Sequence, residues 1–123
     1  MEINKIDSIY NFLRSEEFRR RPAMFIGKIS IFELRAYTDG YRMSLLIHNI
    51  EEDNNIFNSN AFGDFVAERY NRPAQAGWDK NIWSENYGDE YQSFRDFFRL
   101  FDEFFGEKKE DTYYENLLAP YRK

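Results

Sequence analysis

The side chains able to do chemistry in this chain are unevenly supplied. There is one histidine, His48, and no cysteine. A histidine-built metal site, a paired-histidine mechanism and a cysteine nucleophile therefore cannot be assembled. His48 falls on or beside the apolar stripe of a helical stretch, where a partly buried structural histidine is expected, although a lone imidazole can serve as a base. Carboxylates are plentiful, in the clusters Glu51-Glu52-Asp53, Asp89-Glu90, Asp102-Glu103 and Glu110-Asp111. Two converging carboxylates could do acid–base work or hold a divalent cation. Sequence neighbours on a helix, however, point about 100° apart, so these pairs read as solvated faces. Ser44, Ser84 and Ser93 have no triad context, and no GxSxG, P-loop or GxGxxG occurs. The expectation is a protein without catalysis, bound metal or cofactor.

The stretch RRRPAMFIGKIS, residues 19–30, offers a different chemistry. Arg19, Arg20 and Arg21 beside Phe18 and Phe25 could contact phosphate or stack on bases, as a nucleic-acid adaptor or regulator would require. The same arginines also complement the dipole at the end of a helix. A net charge of −5, from 17 basic and 22 acidic residues, favours the second role, because nucleic-acid affinity depends on neutralising phosphates. The acidic balance suits a basic protein partner instead. With 13 Phe, 9 Tyr and 2 Trp, the chain holds more rings than so small a core needs, and exposed rings are typical interface anchors. The residues expected to bind such a partner are Glu51, Glu52, Asp53, Glu85, Asp89 and Glu90, with Trp83 and Tyr87 as anchors. A homodimer is the other use of an exposed aromatic patch.

Helices must position these groups, since helical periodicity dominates and no alternating strand pattern appears. The spacing predicts one all-α domain over residues 1–123, a bundle of five or six helices. A first helix runs from about Asp7 to Arg20, with Ile6, Ile9, Tyr10 and Leu13 as its stripe, and Pro22 stops it. Met24 with Phe25 or Ile26 then pins the crossing into the core, and Gly27 permits a positive φ. Ser30 and Glu33 form a capping box that opens a second helix, carried by Ile31, Leu34, Tyr41 and Leu45 to about Glu52. Gly40 inside it implies close packing by a neighbouring element, which would compensate an intrinsic penalty of about 1 kcal/mol. Further helices are predicted over Asn60 to Asn71, around Trp78, Ile82 and Trp83, and over Tyr113 to Leu118. The strongest spans Asp89 to Phe105, with Phe94, Phe97, Phe98, Phe101, Phe104 and Phe105 on a broad apolar face. No secretory signal and no apolar run of membrane-spanning length is visible, so the expected setting is soluble and cytoplasmic.

Five segments in this order carry a resemblance: RPAMFIG, LRAYTDGY (34–41), FGDFVAERY (62–70), GWDKNIW (77–83) and FRDFFRLFDEFF (94–105). Together they resemble a group of small helical bacterial proteins with an R-P-x-M-[YF]-[IL]-G segment, here Arg21, Pro22, Met24, Phe25 and Gly27. That group's L-x-[AS]-[YF]-x-x-G-Y helix corresponds to the stretch with Gly40 and Tyr41. Such proteins occur in toxin–immunity systems, including contact-dependent inhibition. The resemblance implies an immunity protein that binds a cognate toxin domain, a nuclease by expectation, and occludes its active site or an exosite. The first segment is also similar to the RPGMYIG run of DNA gyrase B-type ATPases, but over seven residues only. Ala23 replaces that motif's glycine, and the family's glycine-rich nucleotide loops do not follow.

Overall fold

Phenylalanines at 94, 97, 98 and 101 recur at helical spacing, and all four have no exposed surface. In the computed structural model, which describes residues 9–50 and 60–119, they make one long helix the axis around which the others pack. The order is α1 (Ile9–Leu13), α2 (Glu16–Arg20), α3 (Pro22–Ile26), α4 (Ile31–Ile47), α5 (Ala61–Tyr70), α6 (Trp78–Glu85), α7 (Glu90–Phe104) and α8 (Asp111–Asn116). A single 3₁₀ turn, Ala74–Ala76, leads into α6. Among the described residues there is no strand, so the all-α expectation holds.

More helices are present than the periodicity predicts, because the first one breaks. Ser15 interrupts it: its hydroxyl donates to the Phe12 carbonyl at 2.7 Å and accepts from the Phe18 amide at 3.3 Å. Glu16 and Glu17 then occupy the first turn of α2, where negative charge suits the dipole. Pro22 ends α2 but also opens α3, at the one helical position where a missing N–H costs nothing. Gly27, at φ 97°, closes α3 by donating to the Ala23 carbonyl at 2.8 Å. Ser30 opens α4 by accepting from the Glu33 amide at 3.4 Å. Asp89 does the same for α7, accepting from Gln92 at 2.9 Å.

The core is aromatic. Phe62 of α5 meets Phe97, Phe101 and Phe104 of α7 and Trp78 of α6 edge-on, at centroid distances of 5.6 to 5.7 Å. Edge-to-face contacts of this kind add to the area each ring removes from water. Leu13, Phe18, Ile31, Leu34, Val66 and Ile82 complete the same cluster, and Tyr41 packs against it.

Several expectations fail here. Met24 does not pin the crossing: it is 66% exposed, while Ile26 turns inward. Phe25 is only half covered, touching Phe12 and Phe18 at 5.0 and 6.0 Å. Helix α4 ends at Ile47, and His48 is its exposed C-cap rather than a partly buried residue. Among the described residues nothing stands within 4 Å of where a Gly40 Cβ would be, so none of the described elements packs closely there.

The arginine run divides as well. Arg20 and Arg21 are exposed, but Arg19 is completely buried and forks onto Asp102 of α7 at 2.7 and 2.8 Å. Its Nε donates to the Leu13 carbonyl at 3.0 Å, and its guanidinium lies 4.8 Å from the Phe98 centroid. Tyr114 of α8 donates to the same carboxylate at 2.6 Å. Asp102 is thus no solvated acid but the joint of α2, α7 and α8. Burial alone would push its carboxyl up. The hydrogen bonds from Arg19 and Tyr114 and the arginine's charge outweigh that and hold it below the ordinary carboxylate value.

Candidate functional site

The turn between α6 and α7 gathers most of the describable residues that the sequence nominates. Helix α6 ends because the Asn86, Tyr87 and Gly88 amides fold back onto the Ile82, Ser84 and Trp83 carbonyls at 3.1, 3.1 and 2.9 Å. The Asn86 amide group fixes the turn further, donating to the Ile82 carbonyl at 2.8 Å and to Asp96 at 3.1 Å. Tyr87 and Gly88 both take left-handed φ, 54° and 80°. For glycine this is free; for tyrosine it is strained by about 1–2 kcal/mol.

That backbone throws the Tyr87 ring outward, and the residue is 99% exposed. Trp83, 36% exposed, lies beside it over Gly88, where an added Cβ would stand 3.2 Å from the indole Cζ2. Phe32, in the first turn of α4, packs on the Trp83 ring at 5.6 Å and is itself 36% exposed. The sequence reading missed Phe32. Its signal was the capping box itself: a ring flanked by Ile31 and Leu34, the residues that turn inward, must face out at the helix start.

The acids around these rings have different tasks. Glu85 is exposed and pairs with Arg72 at 3.0 Å, an ion pair of the surface type. Asp89 caps α7 and is exposed, whereas Glu90 is half-buried and accepts from the Ile31 amide at 3.4 Å, tying the starts of α7 and α4. Glu33, exposed beside Phe32, adds a carboxylate that the sequence reading assigned only to capping. Glu51, Glu52 and Asp53 lie outside the described residues. The corner is therefore an aromatic ridge of Phe32, Trp83 and Tyr87, bordered by Glu33, Glu85 and Asp89.

Beside it lies a cavity of about 450 Å³, lined among others by Tyr70, Asn86, Arg95, Asp96, Arg99 and Glu115. Three of its groups are committed to one another: Tyr70 donates a hydrogen bond to Asp96, which also pairs with Arg99. Burial, and then the Asp96 bond, raises the Tyr70 phenol well above its ordinary range, which leaves it a neutral donor rather than a base or nucleophile. Arg95, buried, donates through Nε to the Leu117 carbonyl at 2.8 Å. Among the described residues, no group of three His, Cys, Asp or Glu side chains is placed to hold a metal ion. Nor is any of their helices long and apolar enough to cross a membrane.

The corner offers a partner rings to desolvate and carboxylates to steer by. Comparison with known proteins adds no identity to this geometry: no family model matches the chain, and no curated protein or solved structure is significantly similar to it.

Proposed function

We propose that this chain is a binding protein of the immunity type, which neutralises a basic toxin domain by covering it with the α6–α7 corner. The observation that carries the reading is Tyr87, a large ring 99% exposed on a backbone of positive φ. Strain and exposure both burden the isolated fold, and burial against a partner offsets them. Trp83 and Phe32 extend the ridge, so the desolvated centre of an interface is available with a rim of acids around it. Glu33, Glu85 and Asp89 favour a partner that is positively charged, as a nuclease domain must be to approach phosphate. The segment resemblance to immunity proteins supports the same class. The nucleic-acid alternative loses Arg19, which Asp102 holds inside the protein.

The test is co-expression with basic nuclease toxin domains, read as rescue of growth and as co-purification. Tyr87→Ala and Trp83→Ala are expected to weaken binding about tenfold or more with the helical circular dichroism unchanged. Full rescue by both variants sinks the corner as the binding surface. Failure to bind any toxin domain, combined with salt-dependent DNA binding lost in Arg20→Ala and Arg21→Ala, sinks the class and favours the adaptor.

A further inference from the structure

Most of the described arginines hold a carboxylate, as Arg14, Arg19, Arg35, Arg69, Arg72 and Arg99 do. Arg20, Arg21 and Lys28 are different: all three are exposed, and none has an acidic partner among the described residues. They stand in the longest stretch of the chain without a carboxylate, residues 18–32, which Glu17 and Glu33 bound. In a chain of 22 acidic and 17 basic residues, the elbow of α2 and α3 is therefore locally cationic.

Two apolar side chains stand among these cations. In α3, Pro22 is buried and Ile26 packs on the core. At about 100° per residue, Met24 then points away from the core and Phe25 to its side. Their exposures agree, 66% and 37%. The Met24 amide donates to the Arg21 carbonyl at 3.1 Å, which sets Arg21 one turn before both. Arg20 ends α2 just ahead of it, and Lys28 follows the Gly27 turn.

We infer that this elbow docks on an anionic phospholipid surface. Met24 and Phe25 enter the boundary between headgroups and acyl chains, while Arg20, Arg21 and Lys28 meet the phosphates. No helix of the described residues can cross a membrane, so the contact is peripheral. Met24 is unbranched and apolar, which suits hydrocarbon and offers nothing for reading a base. The Phe25 ring already makes an edge contact with Phe12 at 5.0 Å, so it is a poor stacking platform. A folded acidic partner needs about 800 Å² from each side, and two apolar side chains with three cations are few for that. Lipid headgroups set no such threshold, since each cation near the surface adds its own increment. The net charge of −5 does not forbid the contact, because at physiological salt the field of exposed charges fades over about 8 Å. None of these residues belongs to the α6–α7 corner, so the inference does not depend on the toxin-binding reading.

Flotation of the full chain with phosphatidylcholine vesicles holding about one-third phosphatidylglycerol should carry protein upward, and pure phosphatidylcholine should not. Added salt should release it. Arg20→Gln, Arg21→Gln and Lys28→Gln should each lower the bound-to-free ratio about fivefold. Met24→Ser should lower it about threefold with the salt dependence unchanged. Lys80→Gln, which removes an exposed cation from α6, and Tyr87→Ala should leave it as it was. Absence of flotation with the anionic vesicles overturns the inference, and so does an equal loss in Lys80→Gln. Duplex DNA that displaces the chain from vesicles, with the same variants losing DNA binding, would give the elbow to nucleic acid and overturn it as well.

Discussion

Helices α4 and α7 are the two longest, 17 and 15 residues, and they spend their side chains oppositely. Nine residues of α7 are buried, including Arg95, Asp96 and Asp102, whereas α4 buries four and leaves Met43, Leu46 and Ile47 in water. The difference separates two jobs. A helix enclosed on most sides can host buried charge, because its neighbours supply partners. A helix enclosed on one side, as α4 is among the described residues, leaves apolar side chains exposed.

The sharpest break of this contrast is at Asp102. Asp102→Ala leaves the Arg19 guanidinium buried without its carboxylate, and the expected loss is about 3–5 kcal/mol in urea denaturation. Phe97→Ala, in the same helix, should lose about 3–5 kcal/mol by opening a cavity, while Met43→Ala on the exposed side of α4 should stay within about 0.5 kcal/mol. Equal effects at Phe97 and Met43 would erase the distinction between the helices.

Acid should reveal the same asymmetry. The folded carboxyl of Asp102 titrates below its unfolded value, so its stabilisation is complete above about pH 4 and fades as pH falls through the lower folded value. Asp102→Asn should flatten that acid limb. The phenol of Tyr114, raised by burial and then by its bond to Asp102, acts at the other end. Its contribution is present below about pH 10 and is lost as pH rises further.

Smaller effects belong to the surface. Tyr87→Gly relieves a left-handed tyrosine and should raise stability by about 1 kcal/mol while removing the anchor, a gain in folding with a loss in binding. Gly40→Ala should raise helix stability by up to about 1 kcal/mol, because the added methyl meets nothing among the described residues. A destabilised Gly40→Ala variant would show that something does pack against that glycine.

The sequence made α7 legible because six phenylalanines at helical spacing admit one arrangement. It made the corner half legible: Asp89 with Gln92 fixes a helix start, and a tyrosine before a glycine at a helix end stands outward. The break at Ser15 was readable from Ser15-Glu16-Glu17, but the apolar stripe of Ile9 and Leu13 suggested continuity and prevailed. Arg19 could not be placed from local pattern, since its partner lies 83 residues away and helix-end arginines are ordinarily solvated. Gly40 misled for a different reason: an internal glycine suggests close approach by a neighbour, yet no described atom stands within 4 Å of its Cβ position.

The two tryptophans give the corner an optical signature. Trp78 is 5% exposed and sealed among Phe62 and Phe97, whereas Trp83 is 36% exposed on the ridge. Their emission therefore separates into a blue-shifted, shielded component and a red-shifted, quenchable one. With Glu85 and Asp89 nearby, caesium should quench the second component more efficiently than iodide. Any molecule that settles on the ridge would silence that difference, so its arrival can be followed without a label.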